Sequence, residues 1–135
     1  MTDYITLEEV DTLANRLGFT YRSRGLMASA LGSPMPVFGQ EVYENLHQKS
    51  AALLVAVNRN HPMLDGNKRM SWLITAAFYD INGWDLIADT DDLVGFVLSI
   101  ANDGVDMAFD DPVEVAFDDV VAWLEDHAQP RAWED

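Results

Sequence analysis

Residues 42–60 contain no glycine and no proline, and that uninterrupted run ends abruptly at His61-Pro62. Its apolar positions Val42, Leu46, Leu53, Leu54 and Val57 recur with a helical period. Pro62 disfavours helical dihedrals at the residue before it, so the helix should end near Asn60. A second helical segment is expected from about Gly66 to Ile81, with Asn82-Gly83 as its stop signal. The chain must therefore place two helices around the short connection His61-Pro62-Met63-Leu64-Asp65-Gly66-Asn67-Lys68-Arg69.

That connection is chemically dense. It holds a possible general base (His61), a possible metal ligand (Asp65), a flexible glycine and two cations. Asp65 stands where a helix N-cap belongs. The amides of Gly66, Asn67 and Lys68 would then lack helical partners and point out of the helix end. Such an end binds anions, the helix dipole adds to the attraction, and Lys68 and Arg69 supply formal charge at the same place. Each residue alone has an ordinary explanation. A His before a Pro is usually a loop residue, Asp-Gly a turn and Lys-Arg solvated surface. The combination is different: six specified residues at fixed spacing recur by chance on the order of once in tens of millions of positions at average residue frequencies. Phosphate chemistry needs this set, with a base for the attacking hydroxyl, a carboxylate for magnesium, and amides and cations for the phosphate charge.

The segment resembles the active-site motif of the Fic/Doc superfamily, specifically its Doc (death-on-curing) branch. The Fic branch reads His-x-Phe-x-Asp/Glu-Gly-Asn-Gly-Arg-x-x-Arg. Doc proteins carry Lys at the second Gly and do not keep the last Arg; here Lys68 and Trp72 occupy those positions. Tyr4–Val10 is similar to the start of the Doc N-terminal helix, and Arg22–Leu31 to the entry of its second helix. The resemblance covers most of residues 4–103 and weakens toward the C-terminus. Met63 stands where the family prefers a Phe that anchors the loop in the core; Met can fill that space but specifies it less tightly.

The resemblance implies a kinase-type toxin that uses ATP and Mg2+. His61 would be the general base, Asp65 would hold the metal, Gly66, Asn67, Lys68 and Arg69 would bind the nucleotide, and Lys68 and Arg69 would neutralise developing charge. Asn67 would fix the loop or the ligand. The target by resemblance is a Ser or Thr of elongation factor Tu, and a Phd-type antitoxin would neutralise the toxin in trans. The superfamily's inhibitory motif, Ser/Thr-x-x-x-Glu-Gly/Asn, is absent; Glu44-Asn45 comes nearest, but Gln40 stands where Ser or Thr is required. Two alternatives stay open: adenylyl transfer to a protein hydroxyl, which Lys68 disfavours, and a non-catalytic binding module on the same fold. Ser33–Gln40 reads as an interhelix loop on spacing alone. By resemblance it is a flap beside the active site that pairs with an extended target segment, with Met35, Val37 and Phe38 as contact side chains.

Charge and composition restrict partners. A formal net charge of −15 argues against sequence-independent binding to nucleic acid or anionic membranes. Only 8 cations stand against 23 acids, yet Arg59, Lys68 and Arg69 cluster at the motif, as an anion would require. The acidic residues beyond Asp85 are irregularly spaced and match no EF-hand. There is no Cys, hence no disulfide framework and no thiol nucleophile. The N-terminus lacks the features of a secretory signal, and the apolar runs are too short to span a bilayer. A cytoplasmic protein is expected.

Elsewhere, Thr6-Leu7-Glu8-Glu9 is a capping box that opens a helix to about Leu17, ended by Gly18. Further helices are expected over about Ser23–Leu31, Thr90–Ala101 and Asp118–His127, with a loose tail over 128–135. Strand signals are weak throughout. His47 and His127 read as structural, Trp72, Trp84 and Trp123 as packing residues, and Trp133 as exposed. The expectation is one all-α domain over 1–135, about six helices around a central motif-bearing pair, with a short flap.

Overall fold

A computed structural model describes residues 1–88 and 112–131. These form α1 (Leu7–Leu17), α2 (Arg24–Gly32), α3 (Leu46–Asn60), α4 (Asn67–Ile81), β1 (Trp84–Leu86), α5 (Pro112–His127) and β2 (Ala128–Pro130). The chain is thus mostly helical. The helix expected over Thr90–Ala101 and the expected exposure of Trp133 lie outside the described residues.

Local chemistry sets the ends of the elements. Thr6 accepts from the Glu9 amide while Glu9 reaches back to the Thr6 amide, so the capping box forms, and Gly18 closes α1 in the left-handed region at φ 76°. Ser23 caps α2 by accepting from the Leu26 amide. α3 starts at Leu46 rather than Val42, because Asn45 and Gln48 build a second capping box at its head. Val42 is left exposed. α5 begins at Pro112, six residues before the expected Asp118, with a proline at the first helical position, where the missing N–H costs nothing.

α3 carries the fold. Leu53 and Val57 enter one apolar cluster with Val10, Met27, Met63, Met70, Ile74 and Phe78. Ala51 and Leu54 enter a second with Tyr79, Val120 and Leu124. A helix that buries apolar residues on several sides belongs in the interior, and α4 lies against it with Met70, Ile74, Phe78 and Tyr79 fully buried. The motif-bearing pair is therefore central, and the connection between its helices is held by two largely buried helices.

One expectation fails at the C-terminal end, that of a loose tail from residue 128. Strands do form: β1 and β2 pair antiparallel, with Trp84 opposite Pro130, Asp85 opposite Gln129 and Leu86 opposite Ala128. The tail is consequently fixed as far as Arg131. Its amide donates to the Gly83 carbonyl at 2.8 Å, and its guanidinium pairs with Asp85 at 2.9 Å and with Asp80. A three-residue strand leaves almost no periodicity to read, which is why the sequence did not reveal it.

His47 and His127 are structural, as expected. His47 is buried, hydrogen-bonds the Tyr79 hydroxyl through Nδ1 at 2.9 Å and meets the Trp84 ring edge-on. Burial pushes the Tyr79 phenol well above its ordinary range. His127 stacks on Trp123, which in turn meets Trp72 edge-on. Among the described residues no helix is long and apolar enough to cross a membrane.

Candidate functional site

His61 ends α3 in the left-handed region, at φ 49° and ψ 56°. Its amide still bonds the Val57 carbonyl, and its ring Nδ1 lies 2.8 Å from the Asn58 carbonyl oxygen. A carbonyl can only accept, so Nδ1 carries the proton of the neutral ring. Nε2 is then the free lone pair on an exposed side chain, the state a general base needs.

The residues that follow are strapped down on both sides. Tyr21 and Met63 form an antiparallel bridge; the amides of Arg22 and Ser23 both donate to the Pro62 carbonyl, at 2.7 and 2.9 Å, and the Leu64 amide donates to the Thr20 carbonyl at 2.9 Å. Met63 is buried to 1 % exposure and anchors the loop where the resemblance places a Phe. Asn67 completes the turn. Its Oδ1 accepts from the Met63 amide at 2.9 Å and its Nδ2 donates to the Met63 carbonyl at 3.0 Å. Of the two roles open to Asn67, its side chain takes the first and fixes the loop.

The head of α4 differs from expectation by one residue. Asp65 is not the N-cap. Gly66 holds that position at φ 81°, and no side chain caps the helix. Asp65 is drawn back instead, its Oδ1 accepting from the Gly66 amide at 2.9 Å. The first intrahelical bond is Met70 N–H to the Gly66 carbonyl, so the amides without helical partners are those of Asn67, Lys68 and Arg69 rather than Gly66, Asn67 and Lys68. Gly66 is required twice over. The backbone is left-handed there, and a Cβ would stand 2.5 Å from the nearest Phe19 ring carbon.

Lys68 and Arg69 are both exposed, with no carboxylate partner among the described residues. Three other cations are paired with carboxylates: Arg24 with Asp11, Lys49 with Glu41, Arg131 with Asp80 and Asp85. The Arg24 guanidinium, with help from the Tyr21 hydroxyl, holds the Asp11 carboxyl below its ordinary range. Lys68 and Arg69 sit instead at the positive end of a helix dipole, where cations are disfavoured by about 0.3–1 kcal/mol each. Two cations without a carboxylate partner, three amides without helical partners and a dipole of the same sign thus meet at one helix end. Arg59 lies on the exposed face of the last turn of α3.

With this geometry in view, the comparisons with known proteins decide the family. A profile described as the Fic/DOC family matches residues 4–79. The chain belongs to the Fic/DOC family. It is also 41 % identical over 96 residues to the protein named Toxin Doc from Mycolicibacterium smegmatis (strain ATCC 700084 / mc(2)155), covering 67 % of this chain and 73 % of that protein. The likeness supports placement in the Doc branch, as Lys68 and Trp72 imply.

The Ser33–Gln40 segment, expected as a flap, contains a tight turn. Val37 and Gln40 exchange backbone hydrogen bonds of 2.9 and 3.0 Å around Phe38 (φ 51°) and Gly39 (φ 77°). Positive φ at both central residues gives the tight turn of a two-residue hairpin. Phe38 at its tip is fully exposed and Val37 is 54 % exposed, whereas Met35 is half-buried. Two residues that shape the site escaped the sequence reading, Phe19 and Arg22. Arg22 donates from Nε to the His61 carbonyl at 2.7 Å and from a terminal nitrogen to the Asn60 carbonyl at 2.8 Å. The one signal available was the need of the α3 C-terminus for a cation.

Among the described residues no three His, Cys, Asp or Glu side chains converge as a metal cage. Asp65 alone, exposed and with one oxygen uncommitted, suits Mg2+, which commonly binds through one or two carboxylates plus the phosphates of a nucleotide.

Proposed function

We propose that this chain is a toxin of a toxin–antitoxin pair that transfers the γ-phosphoryl group of ATP to a Ser or Thr hydroxyl of a translation factor. The resemblance to Doc names elongation factor Tu as the target and a Phd-type protein as the antitoxin. The observation that carries the reading is the placement of unpaired Lys68 and Arg69 on the open amide end of α4, close in sequence to a His whose Nε2 is free.

In this reading the target hydroxyl oxygen attacks the γ-phosphorus. The bond from that phosphorus to the bridging oxygen breaks, and ADP leaves with the electron pair. His61 Nε2 takes the hydroxyl proton, while its Nδ1–H stays on the Asn58 carbonyl. The amides of Asn67, Lys68 and Arg69 hold phosphate oxygens, and the two side chains neutralise charge as it shifts to the leaving diphosphate. Asp65 would hold magnesium, whose charge would offset that of the phosphates. Val37 and Phe38 meet the target, whose extended segment pairs with the flap.

Induced expression in a bacterial host tests this reading. The wild type should arrest growth and translation, His61→Ala should not, and co-expression of the small reading frame next to the source gene should restore growth. Label should pass to the target from γ-labelled ATP and not from α-labelled ATP. Transfer of α-label would replace the kinase with an adenylyl transferase, and growth arrest by His61→Ala would remove the catalytic role altogether.

A further inference from the structure

The conformation of His61 needs an explanation. Among the described residues, Phe38 and His61 are the two non-glycine residues with positive φ. Phe38 owes its angle to a two-residue turn. His61 owes its angle to nothing so local: a helix C-terminus normally places Gly there, because a Cβ is disfavoured in the left-handed region. A strained residue persists only when its surroundings over-determine it. Pro62 disfavours the helical alternative at His61. What holds the left-handed one is a set of contacts from the α1–α2 loop, 38 and 39 positions away in the chain.

Arg22 supplies the side-chain part of that set. Its guanidinium spans the carbonyls of Asn60 and His61, two of the groups that α3 leaves without intrahelical partners. A rigid planar fork can hold two carbonyls at once, and its charge suits the negative end of the helix. Fixing the Asn60 and His61 carbonyls on either side of the His61 Cα restrains φ there, and φ sets the direction from which the ring reaches the Asn58 carbonyl. The ring bond selects the Nδ1–H form and leaves Nε2 outward.

We infer that Arg22 is a positioning residue for His61, setting the tautomer and the aim of its ring through the backbone without touching substrate. The inference rests on His61 as the base of the proposed reaction. Arg22 is well suited to a clean test. The bonds from the Arg22 and Ser23 amides to the Pro62 carbonyl involve backbone alone and survive substitution. Loss of the guanidinium should loosen His61 while the loop stays docked.

The experiment measures two things on Arg22→Ala and Arg22→Lys. One is kcat and KM for ATP in target modification. The other is the protonation pattern of the ring nitrogens, read by long-range nitrogen–proton correlation NMR above the titration range of imidazole. The chain has 3 histidines, so His47 and His127 serve as internal references. Arg22→Ala should lower kcat about tenfold to a hundredfold, the range a small misplacement of a catalytic group costs, with KM for ATP unchanged. His61 should pass from a single Nδ1–H form to a mixture containing Nε2–H. Arg22→Lys, which reaches one carbonyl, should fall between the two; if Arg22→Ala does not fold, Arg22→Lys and Arg22→Gln are judged by the same readouts. An unchanged His61 tautomer in these variants overturns the inference, whatever happens to the melting temperature, and so does an unchanged kcat in an active enzyme. A tautomer that shifts as expected in a protein that modifies no target leaves Arg22 in its role and removes the proposed reaction instead.

Discussion

Replacing Lys68 and Arg69 together by Gln should make the free protein more stable, although it removes two cations from a chain that already carries a net charge of −15. The reason is position. Both side chains sit on the first turn of α4, on the positive end of its dipole, with no carboxylate partner among the described residues. Each cation there costs about 0.3–1 kcal/mol, so the pair costs about 0.6–2 kcal/mol. Gln has nearly the helix propensity of Lys and Arg, so the exchange isolates the charge. A chain of this length unfolds with an entropy of about 0.28 kcal/mol/K, so the melting temperature should rise by about 2–7 °C. The lower end is the better expectation for exposed groups. The opposing term, repulsion from the distant acids, is largely screened in 0.15 M salt, where the Debye length is about 8 Å, while the helix end lies closer than that. The assay is thermal unfolding in that buffer, with and without magnesium-ATP, repeated in 1 M NaCl. Without ligand the variant should melt above the wild type, and the gap should close in high salt. With magnesium-ATP the order should reverse, because the wild type alone gains substantially from the nucleotide. A variant that is no more stable without ligand, or that gains as much from ATP as the wild type, would refute the anion-site reasoning.

Three further substitutions probe the loop. Gly66→Ala forces a Cβ into the left-handed region and against Phe19, and should cost about 2–4 kcal/mol in urea unfolding, with partial recovery in a Phe19→Leu background. Asn67→Ala strands the buried Met63 amide and carbonyl, and should cost about 1–3 kcal/mol for each group left without water, with faster amide exchange at Met63. Asp65→Asn keeps an acceptor for the Gly66 amide, so the melting temperature should hold while magnesium-dependent ATP affinity, measured by calorimetry, falls.

The parts of the fold written in strong local signals were legible from residues alone. The Thr6–Glu9 capping box, the stop at Gly18 and the break at His61-Pro62 each follow from a side chain or ring acting on its own backbone. Errors arose where the deciding partner is remote in sequence or where two local rules compete. Asp65 looks like an N-cap, but the left-handed Gly66 takes that position and turns the carboxylate back on itself. Helix α3 starts late because Asn45 and Gln48 make a better box than Val42 makes a first turn. The β1–β2 pair unites segments more than forty residues apart and is too short to show alternation. The candidate site divides in the same way. His61, Asp65, Lys68 and Arg69 stand out by type and spacing, whereas Arg22 and Phe19 act on the motif from a loop whose own residues carry no mark of it.

The most direct test of the kinase reading is the intact mass of purified elongation factor Tu after incubation with this protein and magnesium-ATP. A gain of one phosphate on a Ser or Thr is expected, absent with His61→Ala. A gain of AMP, or no gain at all under conditions where this protein arrests translation, would contradict it.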